Sequence, residues 1–192
     1  VRDSLINIRT KDIDIATKYK PEKIIEILSS NSIKVIPTGI DYGTVSVFTN
    51  NFNFEITTLR SDIETDGRHA KVSFTDDWKE DSMRRDFTIN SIYLSPNGDI
   101  FDPNNGTLDL AKGSVIFIGD PKERILEDYL RILRYFRFNS YYGDENIPFS
   151  SQAYEACKDL RVKLKNLSPE RIQSEFFKIL VAPNARKNIS AM

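Results

Sequence analysis

Chemistry in this sequence would run on carboxylates and arginines. Asp12 and Asp14 stand two apart in D-I-D-I-A-T (12–17). The alternation of polar and apolar residues predicts a half-buried strand, from which both carboxylates project on one face. Two such charges a few ångströms apart repel each other. A bound Mg²⁺ removes that cost, because it takes oxygen ligands and keeps waters and substrate phosphates in its shell. A D-x-D pair alone equally fits the solvent-facing edge of a strand. Glu55 adds a third candidate: in F-N-F-E-I-T-T-L-R (52–60), Phe52 and Phe54 share one face while Asn53 and Glu55 share the other. A carboxylate inside a β-branched, aromatic strand is costly without a partner. If this strand lies beside the first, three carboxylates converge in a set able to hold paired metals for phosphoryl transfer. Otherwise Glu55 pairs with Arg60 or a lysine.

Two further segments concentrate charge. M-R-R-D-F-T-I-N (83–90) sets Arg84, Arg85 and Asp86 against Phe87. Guanidinium forks suit phosphate oxygens, and an acceptor such as Asp86 suits a ribose hydroxyl; a surface salt-bridge cluster is the other reading. In E-D-Y-L-R-I-L-R-Y-F-R-F (127–138), Asp128, Arg131, Arg134 and Arg137 recur every third residue among apolar neighbours. On a helix, steps of three fall about 60° short of a turn, so the charges spiral round a partly enclosed surface. Charges so placed are paired or liganded. A carboxylate and a guanidinium together match the edge of a nucleobase, and they equally form an internal ladder fastening two domains.

The elements that must position these groups follow from period and punctuation. Pro21 opens an amphipathic helix with Ile24, Ile25, Ile27 and Leu28 on its apolar face. Strands are expected at 33–37, 44–49 and 52–60, the last two joined as a hairpin through Asn50-Asn51. Residues 61–82 are acidic, hold a D-G at 66–67, and read as a mobile surface loop, with Val72, Phe74 and Trp78 as residues that would pin part of it down. Short strands at 92–94 and 99–102 flank S-P-N-G, a turn signal, and V-I-F-I (115–118) reads as one more. From Asp120 the period turns helical: one helix from Pro121 to about Tyr141, a second over 150–164, and a third from the Ser168 N-cap and Pro169 to about Val181. A boundary near 119 separates α+β from all-α.

Composition excludes several rival chemistries. The chain has 192 residues, 27 basic and 28 acidic, a net charge of −1 and 40% hydrophobic residues, ordinary for one or two globular domains. No apolar run approaches the roughly 18–20 residues of a membrane span, and the first ten residues lack a signal-peptide layout. With one cysteine, Cys157, and one histidine, His69, the chain cannot build an internal disulfide, a His-rich or Cys-cluster zinc site, or a triad near a nucleophile motif. A reducing, cytoplasmic setting is expected. The sequence carries no signal for oligomeric state.

Taken in order, these segments resemble the tRNA nucleotidyltransferase (CCA-adding enzyme) and bacterial poly(A) polymerase family, of the bacterial–eukaryotic class, across essentially the whole chain. V-R-D-S-L (1–5) with D-I-D-I-A-T resembles the family's first motif without its leading glycine pair. F-E-I-T-T-L-R with D-G-R-H (66–69) resembles the third-carboxylate strand and flexible loop. R-R-D-F-T-I-N-S is similar to the ribose motif, and F-D-P-N-N-G-T-L-D-L (101–110) to the hinge. E-D-Y-L-R-I-L-R-Y-F-R-F resembles the protein template for the incoming base, and L-S-P-E-R-I-Q-S-E-F-F-K-I-L (167–180) the last neck motif. The resemblance implies an α+β, polymerase-β-type head over 1–119 and an all-helical neck over 120–192, with further sequence expected on both sides. It implies Asp12, Asp14 and Glu55 as catalytic carboxylates, Asp12 and Asp14 binding Mg²⁺, and Arg2 as a triphosphate contact. Arg85 and Asp86 would hold phosphates and ribose. Asp128 and Arg131 would pair with cytosine or adenine, with Arg134 and Arg137 supporting them and the triphosphate. The implied partners are the tRNA 3′ end, CTP and ATP. The implied activity is CCA addition, with A-only or poly(A) addition, or an inert RNA-binding remnant, as alternatives.

Overall fold

A computed structural model describes residues 1–10, 13–49, 52–66 and 69–192. The chain divides into two compact units. The smaller comprises Asp3–Glu64 and Ala70–Arg84, and the larger Val1–Arg2, Thr65–His69 and Arg85–Met192. Residues 85–119 cluster with the helices that follow them.

The smaller unit is built on a four-stranded sheet of order β1-β4-β3-β2, with β1 (Asp14–Thr17), β2 (Lys34–Gly39), β3 (Thr44–Phe48) and β4 (Asn53–Thr58). β1 runs parallel to β4, and the other pairs are antiparallel. The β3–β4 hairpin forms as expected, closed by the Thr49 N–H donating to the Phe52 carbonyl at 2.9 Å; Asn50 and Asn51 lie outside the described residues. Helix α2 (Pro21–Ser30) covers one face, with Ile24 packed on Val45 and Val47 and flanked by Ile25, Leu28, Phe54 and Ile56. The opposite face carries Asp14, Ser46, Asn53 and Glu55, together with Ile36 and Phe48. A short helix α1 (Arg2–Leu5) precedes β1.

Residues 61–82 are not the expected surface loop. They form most of a two-stranded sheet, β5 (Arg60–Asp66) and β6 (His69–Phe74), followed by α3 (Trp78–Met83). Asp77 caps α3 by accepting from the Lys79 and Glu80 N–H groups. The buried Asp81 carboxylate accepts from the Arg84 guanidinium at 2.9 Å and the Arg60 N–H at 3.1 Å, tying α3 to the base of β5.

The main segment of the larger unit, from Arg85 onward, includes a small hairpin, β7 (Tyr93–Leu94) and β8 (Ile100–Phe101), turned through S-P-N-G with Gly98 at φ 91°. Helix α4 (Gly106–Ala111) starts where Asp102 accepts from the Gly106 and Thr107 N–H groups. A Cβ on Gly106 would sit 2.2 Å from the Thr88 carbonyl oxygen, so this close crossing requires glycine. V-I-F-I (115–118) forms no strand. It makes one isolated antiparallel bridge, Phe87 to Phe117, flanked by the Thr88 and Ile118 N–H groups bonding the Ile116 and Asp86 carbonyls.

Helices α5 (Pro121–Glu127) and α6 (Leu130–Tyr142) replace the single helix expected from Pro121. Asp128 between them is extended and its Oδ1 accepts the Leu130 N–H at 3.0 Å, which competes with helical bonding. α7 (Ser151–Leu160) continues as a 3-10 segment to Asn166, α8 spans Pro169–Leu180, and α9 (Ala185–Ala191) closes the chain. Ser168 precedes α8 as expected but makes no side-chain cap. Helix α5 packs on α7, and α6 on α8 and α9. Phe87, Phe117, Tyr135 and Phe138 form the aromatic centre, with ring centroids of Phe87 and Phe117 4.7 Å apart and of Phe87 and Phe138 5.2 Å apart.

Candidate active site

In the smaller unit, the sheet register sets Asp14 directly opposite Glu55 on the neighbouring parallel strand, and Ser46 opposite Glu55 on the other side. Paired residues point the same way, so Asp14, Glu55 and Ser46 share the face that α2 leaves uncovered. The alternation that sends Phe54 and Ile56 into the core against α2 sends Glu55 outward. Asp14 and Glu55 are both exposed. Asp12 lies outside the described residues. Among the described residues, no three carboxylates, imidazoles or thiols gather as a metal-binding group.

In the larger unit, the arginines gather round one ring. The guanidinium carbons of Arg2, Arg134 and Arg137 stand 5.3, 5.3 and 4.6 Å from the Phe138 centroid, and that of Arg2 also lies 4.2 Å over Tyr142. A cleft of about 260 Å³ opens here, lined by Arg2, Arg137, Phe138, Tyr141, Tyr142 and Lys178. Burial first, then the like charges of Arg134 and Arg2, lower the Arg137 pKa against the pull of Glu175. A polyanion would relieve that repulsion.

Each guanidinium is oriented by a separate acceptor. Arg2 donates to Asn90 Oδ1. Arg137 donates to the buried Glu175 at 2.8 Å, a carboxylate that Lys178 also approaches at 3.1 Å. Arg134 grips Asp86 through Nε at 2.7 Å and Nη2 at 2.6 Å. The Asp86 carboxylate is 6% exposed and also accepts from the Phe87 N–H at 2.9 Å and Asn90 Nδ2 at 2.8 Å. Its acceptor positions are therefore filled from within the protein, in contrast to the open acceptor expected for a ribose hydroxyl. Arg85 is half-buried, and its carbonyl accepts from Arg124 Nη2 at 2.7 Å.

Asp128 lies just outside α6, and the Arg131 N–H of the first turn donates to its carbonyl at 3.0 Å. Asp128 sits in the break before α6 and pairs with Arg171 of α8 at 2.9 Å. Arg131 pairs with Glu127 and donates to the Arg124 carbonyl at 2.7 Å. The partners Arg171, Glu127 and Glu175 were not singled out from the sequence. Arg171 carried a signal: a cation in the first turn of a helix opposes the dipole, so a carboxylate should hold it there.

Residues 1–116 match the family model of the Poly A polymerase head domain. The chain belongs to the Poly A polymerase head domain family. Residues 147–192 match a second model, described as a probable RNA and SrmB-binding site of polymerase A. Among curated members, the mitochondrial CCA tRNA nucleotidyltransferase 1 of Homo sapiens is 46% identical over 94% of this chain and 42% of its own length. The CCA-adding enzyme of Streptococcus pyogenes serotype M1 is 40% identical over 100% of this chain and 46% of its own. The solved Bacillus stearothermophilus CCA-adding enzyme in complex with CTP superposes with a TM-score of 0.87 at 30% identity, covering 99% of this chain and 45% of that one. This chain therefore spans a little under half the length of the relatives it matches. The fold expected from the sequence, an α+β head followed by helices, is the fold of that family. No helix among the described residues is long and apolar enough to cross a membrane.

Proposed function

We propose that the protein adds CMP and AMP to the 3′ end of tRNA, the RNA 3′-hydroxyl displacing pyrophosphate in line from CTP or ATP. The observation that carries this reading is the in-register pairing of Asp14 with Glu55 on the uncovered sheet face. Two exposed, adjacent carboxylates are hard oxygen donors that fit Mg²⁺, and the D-x-D sequence pattern supplies Asp12 as the third candidate ligand. When bound, Mg²⁺ activates the attacking oxygen and stabilises the leaving one.

In this reading Arg2, Arg134 and Arg137 hold the triphosphate, and the acceptor on each keeps its guanidinium aimed before the nucleotide arrives. Arg85 contributes to phosphate binding. Asp86 serves by holding Arg134 rather than by touching the ribose, because its oxygens already have donors. Asp128 accepts from the amino group that cytosine and adenine share, and Arg131 donates to the adjoining ring acceptor. Uracil and guanine present a carbonyl where that amino group would be, so the carboxylate faces an acceptor. A reducing compartment suits the single buried thiol of Cys157.

Incubating the full-length protein with tRNA lacking CCA, Mg²⁺, and CTP or ATP separately tests the reading. CMP incorporation that chelation abolishes is expected; ATP incorporation alone would assign A-only or poly(A) addition instead. Asp128→Ala is expected to raise UTP or GTP use relative to CTP and ATP, and equal loss with all four nucleotides would make Asp128 structural.

A further inference from the structure

Asp128 is extended, with φ −150° and ψ 109°, so no helix fixes its side chain. Hydrogen bonds fix it instead. The Leu130 N–H donates to Oδ1 at 3.0 Å, and Arg171 Nη2 reaches Oδ1 at 3.2 Å and Oδ2 at 2.9 Å. Acceptor capacity remains on Oδ2 for one donor from outside. The pair is largely enclosed, with side-chain exposures of 26% for Arg171 and 22% for Asp128. Arg171 occupies the first turn of α8, where the dipole disfavours a cation, and Asp128 offsets that cost. Arg171 also lines a cleft of about 500 Å³ with Leu130, Ser168 and Ser174, which places the pair beside an open space.

We infer that Arg171 is a specificity-determining positioning residue, aiming the Asp128 carboxylate at the base edge of the incoming nucleotide. This rests on the reading of Asp128 as the base-contacting acceptor. Arg171 acts through Asp128 and does not itself contact the nucleotide. With Arg171 in place, the carboxylate cannot rotate away, and a base presenting a carbonyl meets a fixed acceptor. Without it, the carboxylate swings aside and the mismatch no longer excludes the wrong base.

The test is kcat/KM for CTP, ATP, UTP and GTP in the full-length protein, with thermal unfolding measured alongside. The variants are Arg171→Gln, Arg171→Lys, Asp128→Ala and the double variant Asp128→Ala with Arg171→Gln. Arg171→Gln is expected to raise UTP or GTP use relative to CTP about tenfold, the scale of one charge-assisted hydrogen bond. Arg171→Lys keeps the charge without the fork and recovers part of the selectivity. Adding Arg171→Gln to Asp128→Ala changes selectivity no further, because the two residues act as a unit. Should Arg171→Gln fail to fold, Arg171→Lys decides alone: a shifted nucleotide ratio supports the inference and uniform loss overturns it. Uniform loss in the Arg171 variants while Asp128→Ala does shift the ratio overturns the inference and leaves the role of Asp128 standing. An unchanged ratio in Asp128→Ala overturns both.

Discussion

Replacing Asp86 by asparagine tests how the arginines are held. The carboxylate accepts from the Phe87 N–H, Asn90 Nδ2 and two nitrogens of Arg134. An amide keeps the shape but supplies one acceptor and one donor group, so whichever way it turns, donors face donors. Removing one partner of a fully enclosed ion pair costs about 3–5 kcal/mol. Arg134 retains 30% side-chain exposure and regains some hydration, so roughly 2–3 kcal/mol is expected. For a chain of this size that lowers Tm by roughly 4–12 °C. Burial raises the Asp86 pKa, but the Arg134 charge and the Asn90, Arg134 and Phe87 hydrogen bonds outweigh it and hold the group below its ordinary value. A carboxyl with a lowered folded-state pKa stabilises the fold above its unfolded value of about 3.9. That stability disappears as pH falls through the folded value. Urea titrations followed by near-UV circular dichroism should therefore show a gap between wild type and variant that is level from about pH 5 to 8 and narrows below about pH 4. A gap under about 0.5 kcal/mol at pH 7, the range of an ordinary surface change, would refute the pairing.

Asp14→Ala or Glu55→Ala should reduce nucleotide transfer by the full-length protein about a thousandfold through loss of a metal ligand. Because both side chains are exposed, the unfolding free energy should move by no more than about 0.5 kcal/mol; near wild-type turnover rejects the metal assignment. Gly106→Ala forces a Cβ to 2.2 Å from the Thr88 carbonyl oxygen and should destabilise by about 1–3 kcal/mol in urea titration. Cys157 is 2% exposed, and burial pushes its thiol up to about 12. Aromatic disulfide reagents should therefore label it slowly in buffer and rapidly in urea; equal rates would place it at the surface.

Period and punctuation located the elements that bury one face and expose the other. α2 was visible from its apolar stripe, β3 and β4 from alternation, and β7–β8 from S-P-N-G. The β5–β6 pair was not, because R-S-D-I-E-T-D (60–66) carries a single apolar residue and so no alternation to read. The D-G at 66–67 marked a turn, but without apolar flanks it read as loop. The V-I-F-I run erred the other way. Its hydrophobicity reflects burial, with Val115, Phe117 and Ile118 each under 5% exposed, while its backbone finds only one bridge. The break between α5 and α6 has neither proline nor glycine. The helical period runs straight through Asp128, and only its side chain bonding two residues onward interrupts the ladder.

The charges at every third position from Asp128 to Arg137 could be recognised as enclosed, and enclosure implied partners, but a period carries no information about who those partners are. Asp86 lies 48 residues from Arg134 and Glu175 lies 38 from Arg137; chain folding, not helix geometry, brings them together. The spiral also explains why the partners differ: successive guanidinium groups are rotated by about 60° and cannot share one carboxylate. Asp128 departs furthest from the sequence expectation. On a continuous helix its direction would be set by the backbone, and any change to it would disturb the helix as well. Placed in the break, it is aimed by Arg171 from α8 instead. Helix stability and carboxylate direction are thereby separate quantities, so a substitution at Arg171 is expected to redirect the Asp128 carboxylate without unwinding α6.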